Sequence, residues 1–225
     1  MQRNEMSPYA CKPTIGIISK EPQNQRYIEE IESRDGLAKV IRPNIPISSN
    51  DHLNSIDGII VADHMSNPRL PITQKPAYDE VLLFLQDCLA RKIPFLGIGE
   101  GMLTLNHLFT EYDSENIGYA NPASSIHSQD RTVQIFVPPG TKLASIIGCG
   151  GFFKVDRMDH PKLPLSRISK SLMVNAYSLD GTWSEGIESI KHPWAIGINW
   201  IPYPHDQSSR AFTALFSSLV HCANK

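Results

Sequence analysis

The sequence predicts an α/β fold, a three-layer sandwich with a central, mainly parallel sheet and antiparallel additions in its C-terminal half. Three features point there. Apolar, β-branched runs alternate with amphipathic segments over residues 14–109, and short strands set apart by Gly, Pro and Asp turns follow. One apolar run, PFLGI, passes through closely spaced glycines straight into a helical segment.

Residues 14–19 (TIGIIS) lie between Pro13 and Lys20-Glu21-Pro22 and read as a buried strand. Residues 26–34 (RYIEEIESR) place Tyr27, Ile28 and Ile31 at helical spacing, and Gly36 stops the segment. Residues 39–42 (KVIR), closed by Pro43, and residues 56–61 (IDGIIV) supply two more strands. After a Pro-rich loop at 67–76, residues 77–91 (AYDEVLLFLQDCLAR) carry Val81, Leu82, Leu85 and Leu89 on one helical face. Residues 94–98 then form a central strand and residues 101–109 the helix after it. Strand–helix alternation of this kind joins parallel strands and covers both faces of their sheet.

Residues 132–137, 172–177, 184–189 and 195–200 read as short strands, partly antiparallel and partly returning to the sheet. Residues 208–222 close the chain as a helix with Phe212, Leu215, Phe216 and Leu219 on one face. No repeat, low-complexity tract or linker interrupts the 225 residues, so a single domain over 1–225 is expected.

A formal net charge of -2, a pI near 6.4 and the lack of a basic cluster exclude a nucleic-acid binder. The chain has no apolar run of membrane-spanning length, and its start, MQRNEMSPYA, lacks the apolar stretch of a signal peptide. A cytoplasmic protein without a membrane partner is expected. Cys11, Cys88, Cys149 and Cys222 form no CxxC pair, which suits reduced, buried thiols better than disulfides or a zinc site. No cofactor and no metal are expected.

The most informative passage is PFLGIGEGMLTLN, residues 94–106. A strand turning sharply into a helix forces close backbone contacts two residues either side of its apex, and Gly97 and Gly101 stand at those positions. The apex itself, where a G-x-nucleophile-x-G site would carry Ser or Cys, is Gly99.

At these residues the chain resembles the class I glutamine amidotransferase-like superfamily, most closely its gamma-glutamyl-gamma-aminobutyrate hydrolase branch. That branch has an elbow reading L-G-I-C-R-G-M/x-Q-x-x-N; Leu96, Gly97, Ile98, Gly101, Met102 and Asn106 keep the register. Residues 55–61 (SIDGIIV) resemble its D-G-L-x-L-P-G-G strand, with Ala62, Asp63 and His64 where glycines would follow. Residues 155–161 (VDRMDHP) resemble V-N-S-x-H-H-Q, and residues 177–188 (YSLDGTWSEGIE) resemble A-x-x-D-G-x-V-E-A-x-E. Residues 197–203 (GINWIPY) resemble G-V-Q-W-H-P-E. The resemblance implies a flavodoxin-like sheet. It also maps the family's Cys, His and Glu onto Gly99, Ile201 and Tyr203, so that all three catalytic side chains are replaced while Trp200 and Pro202 remain.

Amide hydrolysis of this type needs a thiolate, an imidazole that moves its proton and an acid that orients the imidazole. Glycine and isoleucine supply none of these, and a glutamine amidotransferase-like protein without catalytic activity is expected, binding a ligand or partner in its altered cleft. The resemblance gathers Asp63, His64, Glu100, Asp159, His160 and His205 around that cleft. They stand either as solvated loop residues or as a pocket for a small molecule or protein, a second copy of the chain included. The alternative from another class is a hydrolase with rebuilt chemistry in the same cleft, using Asp63, His64, Asp159 and His160 with or without a metal. A regulatory subunit that pairs with another chain is a third reading. Glu100, just past the apex, is favoured by the helix dipole and fills what would otherwise be an anion site. Cys149, in a Gly-rich loop, is a remote candidate for a relocated nucleophile.

Overall fold

The computed structural model describes residues 11–19, 24–42, 49–62, 75–110, 132–158, 162–203 and 211–224. Within them the apolar runs become the inner strands of one sheet. β1 (Thr14–Ile18), β2 (Leu37–Val40), β3 (Gly58–Ala62) and β4 (Phe95–Ile98) come from the first half of the chain. β5 (Thr132–Val137), β6 (Gly151–Arg157), β7 (Leu163–Pro164), β8 (Leu172–Ser178), β9 (Trp183–Ser189), β10 (Ala195–Ile198) and β11 (Trp200–Ile201) come from the second. Their order across the sheet is β11-β6-β5-β8-β9-β10-β4-β3-β1-β2, with β7 paired to β9.

Parallel pairing runs through β2, β1, β3, β4 and β10, and pairing from β9 to β11 is antiparallel. The predicted parallel sheet with antiparallel additions is therefore present, and 195–198 makes the predicted return by laying β10 beside β4. β3 and β4 are buried at every residue, as strands covered on both faces must be.

Helices close both faces. α1 (Asn24–Glu32) and α6 (Ala214–Ala223) pack Tyr27, Ile31, Leu215, Phe216 and Leu219 into one core with Ile15, Ile17, Leu96 and Ile198. α3 (Lys75–Ala90) and α4 (Glu100–Phe109) pack Val81, Phe84, Leu85, Met102 and Leu105 into the other with Ile59, Val61 and Phe95. Two short helices, α2 (Ser49–Leu53) and α5 (Lys142–Ile147), were not apparent in the sequence. α5 is held by residues distant in the chain. The buried Glu188 carboxylate of β9 accepts the Lys142 and Leu143 N–H groups at 2.8 and 3.1 Å, and Thr141 Oγ1 caps Ala144 N–H at 3.0 Å.

The expectation of buried thiols holds for Cys88, which burial pushes up to about 12, and fails for Cys11 and Cys149. Both are exposed, because they lie outside the strands and helices whose side chains fill the cores. Among the described residues no helix is long and apolar enough to cross a membrane.

Candidate functional site

The candidate site is built where β4 ends. Val61 and Ala62 of β3 lie opposite Gly97 and Ile98 on one side, and Gly197 and Ile198 of β10 lie opposite the same residues on the other. The chain leaves β4 through Gly99 and enters α4 at Glu100 without a spacer. Gly99 N–H donates to the Ile198 carbonyl at 2.8 Å, and the Gly99 carbonyl accepts from Met102 N–H at 3.0 Å.

Glycine eases this bend in two separate ways. Gly99 has φ 58° and ψ -114°, a conformation that L side chains adopt only under strain. Gly101 has no room for a Cβ, which would overlap the Val61 carbonyl oxygen and lie 2.6 Å from its carbon. A Cβ on Gly97 would likewise lie 2.6 Å from the Gly101 carbonyl carbon and 2.9 Å from Met102 N. The first turn of α4 is thus seated directly on the end of β3, and its apex carries no side chain.

Glu100 is 9 % exposed and engaged by neighbours, and its carbonyl accepts from Thr104 Oγ1 at 3.0 Å. Ile201 is half-buried in β11, opposite Asp156 of β6. Tyr203 is buried: its ring lies 5.8 Å from that of Tyr27 of α1, with the Arg26 guanidinium 4.6 Å above its centroid. Trp200 is fully buried and stacks edge-on against Phe212 at 5.1 Å. Asp63, His64, Asp159, His160 and His205 lie outside the described residues. Among the described residues no three His, Cys, Asp or Glu side chains come together as metal ligands would. Cys149 precedes the start of β6, a strand whose opposite end pairs with β11; that places the thiol a strand's length, roughly 20 Å, from this region.

The model of the Peptidase C26 family, described as peptidase C26, matches residues 10–203, most of the chain. The chain belongs to the Peptidase C26 family. Among solved structures, the glutaminase domain of Trypanosoma brucei CTPS with bound acivicin is similar with a TM-score of 0.66 and 14 % identity, over 94 % of this chain and 93 % of that one. A glutamine amido transferase from Methylobacillus flagellatus is similar with a TM-score of 0.60 and 13 % identity, over 95 % of this chain and 91 % of that one. At such identities the likeness is one of fold. No curated protein matches the chain.

This Peptidase C26 chain also gathers polar residues beside its elbow that sequence reasoning passed over. Asn199, next after β10, donates its N–H to the Glu185 carbonyl at 2.8 Å and its Nδ2 to Glu185 Oε2 at 3.3 Å. Glu185 is 3 % exposed, with Lys162 Nζ 3.7 Å from Oε1. Burial raises the Glu185 carboxyl above its ordinary value of 4.5, opposed by Lys162, Asn199 and Arg157. The available signal was a pair of charges, Glu185 and Glu188, inside SEGIE, a stretch that reads as a strand.

A raised carboxyl binds its proton more tightly folded than unfolded. Its favourable contribution is complete below 4.5 and is lost as pH rises through the folded value. Glu185→Gln, neutral at every pH, is expected to be more stable than wild type at neutral pH, with the difference vanishing below pH 4.5. Urea denaturation at both pH values checks this; a variant less stable at neutral pH would show that the Lys162 pair outweighs burial.

Proposed function

We propose that residues 1–225 form one amidotransferase-like domain of the gamma-glutamyl hydrolase type that has lost amide-cleaving chemistry. Its altered cleft binds a small-molecule ligand or a protein partner. The observation that carries this reading is Gly99: the bend that would present a nucleophile is kept in its backbone and is empty of side chain. The replaced positions support the same reading. Ile201 has no proton to exchange, and the Tyr203 ring is packed against Tyr27 beneath Arg26. The free Cys11, Cys88, Cys149 and Cys222 fit a reducing compartment, and we place the protein in the cytoplasm.

The wild-type protein, incubated with glutamine and with a gamma-glutamyl anilide, is expected to release neither ammonia nor amine above background. Stoichiometric metal that EDTA removes, together with turnover, would overturn the proposal in favour of rebuilt hydrolytic chemistry. Gly99→Cys is expected to stay inactive, because a sulfur there has no imidazole at position 201 to take its proton. The same variant should lose about 1–3 kcal/mol of stability, since a Cβ at φ 58° is strained. Turnover by that single variant would mean that another base reaches the apex.

A further inference from the structure

The sheet ends on one side at β6 and the short β11, and the outer edge of β6 is only partly used. β5 pairs with β6 from Asp156 through to Gly151 without a register shift, and β11 covers the other edge at Arg157 and Asp156 alone. Among the described residues no strand lies beside the outer edge of Gly151, Phe152, Phe153, Lys154 and Val155, and their outward N–H and C=O groups take no backbone partner there. Edges are ordinarily blunted by proline, a bulge or several charges, because an unpaired row of backbone groups is a template for another strand. This stretch has one such device, Lys154, and it carries Phe152, 70 % exposed, beside Phe136.

The free stretch is self-complementary. In an antiparallel pair about a two-fold axis normal to the sheet, opposite residues share a face and every contact is made twice. Centring the pair on Phe153 is the one register that uses the whole of Gly151 to Val155 and stops at Asp156, where β11 already occupies the edge. Gly151 then meets the copy's Val155, Phe152 meets the copy's Lys154, and the two Phe153 residues meet each other. Each ammonium is set against an aromatic ring, and no like charges are directly opposed. A register centred on Lys154 would oppose the two ammonium groups, and one centred on Phe152 would leave Lys154 and Val155 unpaired. On the other face of the sheet the two Phe153 rings come together, each already 5.4 Å from Phe212 of its own chain.

We propose that a second copy of the chain docks on this edge, its β6 antiparallel to the first and centred on Phe153, so that the two sheets become one. Backbone pairing supplies the attraction, and the Phe152–Lys154 contacts, made twice, fix the register. The elbow stands apart from this edge, with β5, β8, β9 and β10 between β6 and β4, so the pairing is independent of whether the elbow is catalytic.

Sedimentation equilibrium of the full chain tests this. At about 100 µM the wild type is expected to show twice the 25.1 kDa of one chain. Phe152→Lys, a change at an exposed position, sets lysine against lysine and is expected to weaken the dimer roughly tenfold or more. Adding Lys154→Glu to that variant sets glutamate against lysine and is expected to restore the dimer. A monomeric wild type, a dimer indifferent to Phe152→Lys, or a loss that Lys154→Glu does not reverse would each overturn the proposal.

Discussion

Replacing Gly101 by alanine is expected to destabilise the protein by about 3 kcal/mol or more, the upper range for forcing atoms into a packed interior. The added methyl would not meet the end of a mobile side chain. It would overlap the Val61 carbonyl oxygen and press on its carbon, in a strand whose residues are all buried. β3 cannot recede, because it is bonded between β1 and β4. α4 cannot recede either without breaking the Met102 N–H bond to Gly99 and lifting Met102, Leu103 and Leu105 out of the core. Urea denaturation measures the loss; a cost below about 1 kcal/mol would mean that α4 is not seated on β3 as described.

Glu188→Ala should be nearly as damaging, at roughly 3 kcal/mol, for an electrostatic reason. Glu188 is 2 % exposed, and its two oxygens accept from Lys142 N, Leu143 N and Asn175 Nδ2 at 2.8, 3.1 and 3.2 Å. Truncation leaves two helix N-terminal N–H groups without an acceptor, leaves the buried Asn175 amide with the Ile187 carbonyl alone at 3.1 Å, and removes a carboxylate favoured at the positive end of α5. Glu188→Gln should recover only part of the loss, because its amide nitrogen would face donors. Thermal or urea unfolding of both variants checks the order wild type, Gln, Ala; equal stability of all three would contradict the assignment of Glu188 as the clamp of α5.

These two residues show where sequence reading succeeds and where it stops. The elbow was legible because its physics is local: Gly97, Gly99 and Gly101 in five residues, between an apolar run and a helical pattern, leave few other conformations. The parallel half of the sheet was legible for a similar reason, since β1, β3 and β4 are continuous apolar runs. Helix limits moved by a residue or two in α1, α3 and α4, as with 77–91 against Lys75–Ala90, whereas within the expected 208–222 the α-helix begins only at Ala214. α5 was not legible, because KLASII is too short to carry a period and its clamp comes from β9, remote in sequence. β6 was also missed as a full strand. Its outward Phe152, 70 % exposed and 5.0 Å from Phe136 on an open face, breaks the alternation that Phe153, Lys154, Val155 and Asp156 keep, leaving too short a run to mark a strand. Glu185 escaped because its significance lies in its burial, for which the charges inside SEGIE were the one sign.

The account rests on the absence of a reacting side chain at Gly99, and covalent labelling tests that most directly. The wild-type protein would be incubated with acivicin, an electrophile resembling glutamine, and its intact mass measured, with peptide mapping to set aside adducts on the exposed Cys11 and Cys149. No adduct within residues 94–106 or 195–203 is the expected result. Stoichiometric modification in either segment would contradict it.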